Sequence, residues 1–416
     1  MSESGSLHSH TFDNGLTLLG HCMPWLESAA FTLLTPAGAQ HDPDQLPGLA
    51  NLTCDMVQRG AGDLNSRQFV EALDRLGVVR SAGVSNAHVR FGAAMPKEQL
   101  TGALAIYADL LQKPLLPEEQ LEDSRMVSFQ ELHAMEDDLA HKLMQALRKR
   151  QYPAPLGRSA QGTMESVAAI SYEDVCNHFQ DYYSPRSSIL SVAGNIDWTQ
   201  IVDTVGSLFQ AWQPNEEPSL SLVAPPDGHE HIDHESNQTH IGIVFPSIPY
   251  SHKNYFQLRG ALGVLSDGMS SRLFTEVREK RGLCYTVYAT CHTLKDQGCV
   301  LTYAGTTSER AQETLDVLIS ELHRLGDGIE KHELDRLKAR IKSALIMQQE
   351  SCASRSGTMA SEWYLLGQLR EADELRQIID ALTCESINDY LANNRPGQFK
   401  IATVGKHALE VNDAVS

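Results

Sequence analysis

The chain has 416 residues, 42% of them hydrophobic and 21% charged, which is typical of a globular protein with two or more domains. A formal net charge of −19 excludes the basic surface that nucleic acids and anionic membranes need, but a neutral or basic peptide remains a compatible ligand. No apolar run reaches the roughly 18 residues of a membrane-spanning helix. The 8 cysteines include no CxxC pair and the N-terminus has no signal-peptide pattern. We therefore expect reduced thiols and a cytoplasmic location, or a periplasmic one if a leader precedes this sequence.

Hydrophobic periodicity and turn residues predict an α+β chain whose first half begins and ends with strands. The predicted elements are a strand pair within 9–22, a strand over 29–35, helices over 48–60 and 66–77 (the second capped by Ser66), antiparallel strands over 78–84 and 87–94, helices over 100–111 and 118–150, and a strand over 189–193. The acidic, proline-rich segment 213–228 is predicted to be a linker.

The second half repeats this plan. Its predicted elements are a strand over 239–245, a helix over 255–265, a short charged helix, strands over 285–293 and 298–305, three helices ending near residue 393, and a strand over 399–404. Each half ends in an apolar strand closed by a glycine turn. This pattern indicates two duplicated domains, 1–212 and 229–416, each a mainly antiparallel sheet with helices packed on one face.

The most specific segment is 265–289, LSDGMSSRLFTEVREKRGLCYTVYA. It predicts a glycine turn, a helix capped by Ser270 or Ser271, and a strand that follows the helix directly. Arg278 lies near the helix end and Tyr285 lies in the strand. A helix that turns back into a strand can bring these two side chains together, and an arginine and a tyrosine hydroxyl form a pair of donors for a carbonyl or an oxyanion. On spacing alone, the alternative is a solvated charged helix end followed by an ordinary strand.

This segment resembles the C-terminal signature of the M16 metallopeptidases, the group of insulinase, the mitochondrial processing peptidase and pitrilysin. The resemblance implies a two-domain fold of the LuxS and processing-peptidase type. It also implies that Arg278 and Tyr285 bind a peptide substrate beside the scissile bond.

In catalytic members of that family, the helix that matches 48–60 carries an inverted zinc motif, His-x-x-Glu-His, and a downstream glutamate completes the site. The resemblance places Asn51 and Asp55 at the histidine positions, Cys54 at the general base, and Glu131 at the third ligand. Oxygen donors suit a hard cation better than zinc, and a thiol does not replace a carboxylate that shuttles protons. We therefore expect a degenerate metal site that binds no metal. The alternative is an ion held by Cys54, Asp55 and Glu131.

Four histidines near the start of the second half are a further candidate metal site. They are His229, His231, His234 and His240. Acidic residues alternate with them, and this pattern favours a solvated loop over a metal site.

Three functions remain open from the sequence. The first is a non-catalytic, substrate-binding subunit of an M16-like zinc peptidase, inactive alone and paired with a zinc-bearing M16-like subunit or with a second copy of itself. The second is a metallopeptidase with a non-standard metal site. The third is a peptide-binding or scaffold protein with no part in cleavage. Because the expected substrate-binding pair, Arg278 and Tyr285, is present while the zinc motif is absent, the sequence favours the first function.

Overall fold

A computed structural model describes residues 5–216, 219–348 and 351–411. The chain forms two compact units, and each is built from three separate segments. The first unit comprises Met1–Ala134, Arg158–Leu222 and Met347–Leu369, and the second comprises Met135–Gly157, Val223–Ile346 and Arg370–Ser416. Within the described ranges, no helix is both long and apolar enough to cross a membrane.

The first unit is organised around a six-stranded sheet with the order β1-β2-β8-β3-β7-β6. Its strands are β1 (Leu7–Thr11), β2 (Thr17–Cys22), β3 (Ser28–Thr35), β6 (Val79–Val84), β7 (Val89–Pro96) and β8 (Ile189–Gly194), and a two-stranded ribbon is formed by β4 (Gly60–Ala61) and β5 (Leu64–Asn65). Only the β2–β8 pair of the large sheet is parallel. Strand β8 is apolar and buried along its whole length because it lies inside the sheet, whereas β6 lies at an edge and is largely exposed.

Helices pack on this sheet through one large apolar core. They are α1 (Leu49–Val57), α2 (Ser66–Arg75), α3 (Leu100–Gln112), α4 (Leu121–Asp137), α6 (Met164–Ala169), α7 (Tyr172–Tyr182) and α8 (Trp198–Phe209). A further helix, α12 (Cys352–Leu366), packs through a second, smaller core, in which its Met359 and Ala360 join Leu19 of β2 and Ala193 of β8.

The second unit has a five-stranded sheet with the order β11-β12-β10-β13-β9. Its strands are β9 (Glu230–Asp233), β10 (Gln238–Ser247), β11 (Cys284–Thr293), β12 (Gly298–Thr307) and β13 (Lys400–Gly405). The helices are α5 (Leu139–Gln151), α9 (Tyr255–Ser266), a π-helix (Phe274–Glu279), α10 (Ala311–Leu325), α11 (Lys331–Gln348), α13 (Ala372–Ala381) and α14 (Cys384–Asn393). Only the β13–β9 pair is parallel.

The two sheets share one topology. In each, a parallel pair (β2–β8 or β9–β13) is followed by three strands that pair antiparallel, β3-β7-β6 or β10-β12-β11. The expected α+β fold of two duplicated, mainly antiparallel domains is therefore confirmed.

One helix from each half of the sequence belongs to the unit of the other half. The α5 helix packs on β10 and β13, where Gly242 permits the contact: a Cβ there would lie 2.5 Å from Leu147 Cδ1. The α12 helix packs on β3 and β8 of the first unit. The sequence did not predict this exchange. The proposed boundaries 1–212 and 229–416 stay a prediction, and residues 217 and 218 of the proposed linker lie outside the described residues.

Three local expectations were wrong. The helix expected over 118–150 is two helices, because the chain turns at Asp138, whose side chain caps α5 by accepting from the His141 N–H (2.9 Å). The α2 helix is capped by Asn65 rather than Ser66, in a capping box with Gln68. The region expected to hold three helices before residue 393 holds five among the described residues.

Candidate functional site

The α1 helix, which carries Asn51, Cys54 and Asp55, is anchored at its start by a residue upstream. Asp42 accepts hydrogen bonds from the backbone N–H groups of Gly48 (2.7 Å) and Ala50 (2.8 Å), and Gly48 adopts a left-handed conformation with φ of 99°. These bonds satisfy donors that a helix start leaves unpaired. Burial raises the pKa of Asp42 to about 7, even though these N–H groups oppose the shift.

Asn51 and Asp55 face α4 but are already hydrogen-bonded within the protein. Asn51 Nδ2 donates to Glu131 Oε2 at 3.2 Å. Asp55 Oδ2 accepts from Arg59 Nε at 2.8 Å, one helical turn further on, and also from the Ser124 hydroxyl of α4. The structure therefore brings Asn51 beside Glu131, and it pairs Asp55 with partners that the sequence analysis missed.

Cys54 points into the core of the first unit, and its side chain is only 4% exposed. Burial, followed by the negative charges of Asp55 and Glu131, raises the pKa of its thiol to about 12. The side chain is therefore a neutral thiol near pH 7, which is neither a general base nor a thiolate ligand.

This set of donors does not fit a zinc ion. Zinc in proteins takes four ligands from thiolate, imidazole and carboxylate groups. Here Cys54 points into the apolar core, Asp55 is bonded to a guanidinium, and the Asn51 amide nitrogen donates to Glu131. No group of three or more His, Cys, Asp or Glu side chains suited to a metal ion occurs in the described part of the chain.

Arg278 and Tyr285 come together at the edge of the second sheet. The Arg278 guanidinium carbon lies 5.0 Å from the centre of the Tyr285 ring and 4.7 Å from that of Phe274. Tyr285 is 81% exposed. Among the described residues, no carboxylate pairs with Arg278 and no group hydrogen-bonds to the Tyr285 hydroxyl. Both polar groups are therefore available to a ligand.

Two backbone irregularities bring about this contact. Arg278 lies on the π-helix, in which the Lys280 N–H bonds to the Thr275 carbonyl five residues back. Tyr285 is the extra residue of a β-bulge, since Cys284 pairs with Thr306 and Thr286 pairs with Gly305.

The bulge determines which way Tyr285 points. Cys284 and Val287 both contact the main core of the second unit although they are three residues apart, which a regular strand does not allow. Tyr285 is the extra residue between them. Because of it, Cys284 and Val287 can both face the core, and the Tyr285 side chain itself lies in solvent.

The predicted serine cap of this helix was wrong. The π-helix starts at Phe274 without a side-chain cap, and the buried Ser271 hydroxyl has no hydrogen-bond partner among the described residues. Further along the helix, Glu276 is paired with Lys280 and Arg281, both at 2.8 Å. These pairs lower the pKa of Glu276. They also leave Arg278 as the unpaired cation of this charged run in the described chain.

Of the four histidines near the start of the second half, His231 and His240 lie on strands, whereas His229 and His234 lie outside them, as the loop prediction expected. His231 lies on β9, where its Nδ1 is 2.8 Å from Thr403 Oγ1. His240 lies on β10 with its Nδ1 2.8 Å from the Tyr303 hydroxyl, and His229 Nδ1 accepts from the Ile401 N–H at 3.1 Å. Strand β9 was missed because it is only four residues long and three of its residues are polar, which gives little apolar signal.

Two residues of the degenerate site could have been found from spacing. Arg59 follows Asp55 by four residues, the usual separation of an ion pair on a helix. Ser124 precedes Glu131 by seven residues, two helical turns, so both lie on the face of α4 that meets α1.

Two repeated units, each with a helix-covered antiparallel sheet, define an α+β protein of the two-domain peptidase type. A family model described as "Insulinase (Peptidase family M16)" matches residues 24–164, and one described as "Peptidase M16 inactive domain" matches residues 169–341. The chain belongs to the M16 peptidase family.

Relatives extend over almost the full length of the chain. An uncharacterized zinc protease of Rickettsia felis is 27% identical over 379 residues, which are 90% of this chain and 91% of that protein. An uncharacterized zinc protease of Bacillus subtilis is 28% identical over 387 residues, with 91% and 93% covered. The crystal structure of a peptidase M16 inactive domain from Pseudomonas fluorescens superposes with a TM-score of 0.89 at 19% identity and covers 98% of this chain and 99% of its own.

Proposed function

We propose that this chain is the non-catalytic, substrate-binding subunit of an M16-like zinc peptidase, and that a partner subunit carries the zinc. The observation that carries the proposal is the exposed Arg278–Tyr285 pair, with both polar groups unused by the described chain. The donors at Asn51, Cys54 and Asp55 support the same proposal, because they do not fit a zinc ion.

The pair has the chemistry that a peptide carbonyl needs. A carbonyl under attack develops negative charge on its oxygen, and fixed donors stabilise that charge more than they stabilise the ground state. The guanidinium of Arg278 carries several N–H donors, and the Tyr285 hydroxyl adds one. Stacking on the Phe274 and Tyr285 rings limits the motion of the guanidinium.

Reconstitution with a zinc-bearing M16-like chain from the same organism tests the proposal. The purified chain alone, with zinc added, should not cleave a broad peptide mixture in a chelator-sensitive manner. The mixed subunits should cleave it, and Tyr285→Phe, which removes only the hydroxyl, should lower turnover about a hundredfold. Arg278→Ala should act in the same direction, with some loss of packing on Phe274.

Tyr288→Phe is the matched control on the same strand. The Tyr288 ring stacks on Tyr303, with centroids 5.2 Å apart. The bulge interrupts the alternation of side chains between Tyr285 and Tyr288, so Tyr288 is chosen as the control for its contact with Tyr303 and not for its position in the strand. Unchanged turnover in Tyr285→Phe and Arg278→Ala would refute the proposal and favour the scaffold alternative. Zinc-dependent cleavage by the chain alone would favour the non-standard metal site.

A further inference from the structure

The second unit contains a cavity of about 190 Å³ between the end of α9, the loop 267–271 and α11. Its lining includes two arginines one helical turn apart on α11, Arg336 and Arg340. It also includes two acidic residues, Asp267 and Glu333.

Both acidic residues are already paired with arginines outside the lining. Arg259 Nη2 donates to Asp267 Oδ2 at 2.7 Å. Arg272 forms a two-pronged pair with Glu333, with Nε and Nη2 at 2.8 and 2.7 Å from the two carboxylate oxygens. These contacts neutralise the two carboxylates, so the positive charge of the remaining arginines is not cancelled within the site.

Arg336 and Arg340 have no acidic partner among the described residues. Arg336 Nη2 donates to the Ser270 carbonyl at 3.3 Å. The Arg340 guanidinium lies against Gly268, where an added Cβ would come 2.0 Å from Nη1. Gly268 also has φ of 92°, a left-handed conformation that favours glycine, whereas a Cβ at this position would displace the flexible end of Arg340.

The loop supplies further donors beside the two guanidinium groups. Ser271 lines the cavity, is only 4% exposed, and its hydroxyl has no partner in the described structure. The backbone N–H groups of Met269 and Ser270 are likewise not bonded to another described residue. The Ser271 hydroxyl can therefore donate to, or accept from, a ligand in the cavity.

We propose that this cavity binds a carboxylate group of the peptide substrate, a proposal that rests on the peptide-binding function proposed above. Two guanidinium groups and a hydroxyl suit a planar monoanion.

The position of the cavity agrees with a peptide that also reaches Arg278. Ser271, in the cavity lining, precedes Arg278 by seven residues, and most of that stretch is the π-helix Phe274–Glu279. The carboxylate would therefore belong to the same peptide whose carbonyl reaches Arg278, as its C-terminus or as an acidic side chain.

Fluorescence anisotropy on the purified chain tests the proposal with three labelled peptides of one sequence. One ends in a free acid, one in an amide, and one in an amide after a final Glu. The two peptides with a carboxylate should bind about tenfold more tightly than the plain amide, because the plain amide cannot form the charge-assisted hydrogen bonds to the two arginines. A preference for the free acid over the Glu peptide assigns the site to a C-terminus, and the reverse preference assigns it to a side chain.

Variants locate the binding in the cavity. Arg336→Ala and Arg340→Ala should each remove most of the advantage of the carboxylate. Gly268→Ala should also remove most of this advantage, because an added Cβ displaces Arg340 without a change in charge. Arg336→Lys and Arg340→Lys should each retain part of the advantage, because lysine keeps the positive charge. Lys331→Ala, an exposed cation at the start of the same helix, is the matched control and should bind like the native chain. Circular dichroism verifies that each variant is folded.

Equal binding of all three peptides to the native chain would overturn the carboxylate site and leave the peptide-binding function standing. Binding of none of them would overturn both. Competition by inorganic phosphate at lower concentration than acetate would overturn the choice of carboxylate.

Discussion

Cys54→Glu tests whether α1 can still hold the carboxylate expected at this position in a working zinc motif. The Cys54 side chain is 4% exposed, and Asp55 and Glu131 place two negative charges near it. A carboxylate introduced there loses hydration and faces like charges, and both effects raise its pKa. Full burial raises the pKa of a carboxyl group by up to about 3–5 units, and with a rise of about 3 the ionised form should cost about 4 kcal/mol of the free energy of unfolding.

The sign of the pH dependence follows from linkage. The folded-state pKa of the introduced carboxyl lies above its unfolded value of about 4.3, so the folded protein binds the extra proton between the two values. The penalty is therefore absent below about pH 4 and reaches its full size above about pH 7. Cys54→Gln has a side chain of nearly the same size and no charge, which makes it the matched control for the cost of overpacking the core.

Urea unfolding of the two variants over this pH range measures the difference directly. The glutamate variant should match the glutamine variant at low pH and fall about 4 kcal/mol below it at high pH. A difference that does not change with pH would refute the reasoning. It would show that the position reaches solvent or a cation, and a non-standard metal site would then again explain the chain.

Two further predictions concern the metal site and acid stability. Asn51→His, Cys54→Glu and Asp55→His together should create a site that holds about one zinc per chain by elemental analysis, whereas the native chain should hold none; failure of the triple variant would show that the helix register is wrong. Burial lowers the pKa of His178 from 6.5 to about 4, so its contribution to stability is present above pH 6.5 and is lost as the pH falls towards 4. His178→Leu should therefore reduce the acid-induced loss of unfolding free energy by about 3 kcal/mol in urea titrations. If the unfolding free energy of the variant falls with pH as steeply as that of the native chain, His178 is not the source of the loss.

Much of the fold could be predicted because strand and helix periods are local properties of the sequence. The apolar run of β8 and the glycine turn after it, like those of β13, predicted both the strands and the duplication. The exchange of α5 and α12 could not be predicted in this way. The apolar face of α5, formed by Leu143, Ala146 and Leu147, has the same pattern whichever sheet it covers, so periodicity does not identify its partner.

The candidate site also has one part that the sequence predicted and one part that it did not. The spacing of Arg278 and Tyr285 indicated that the two side chains can meet, because a helix and strand joined by a glycine turn limit where they lie. Spacing alone did not decide between such a pair and a solvated helix end, and the resemblance to the M16 signature favoured the pair. The π-helix and the β-bulge were not predictable, since each differs from a regular element by one residue of hydrogen-bond register. The register of the bulge depends on pairing with β12, which lies further along the chain.

These two irregularities bear on the choice between a peptide-binding subunit and a scaffold. A regular strand would place Tyr285 on the face opposite Cys284, and Val287 would then leave the core that it now contacts. Keeping both Cys284 and Val287 in the core therefore requires an extra residue, and that residue is an exposed tyrosine rather than a glycine or a polar residue. Packing alone gives no reason for an aromatic ring in solvent beside an arginine that no carboxylate of the described chain neutralises. A ligand that binds to both the ring and the guanidinium would explain this arrangement. For this reason we favour the peptide-binding subunit over the scaffold.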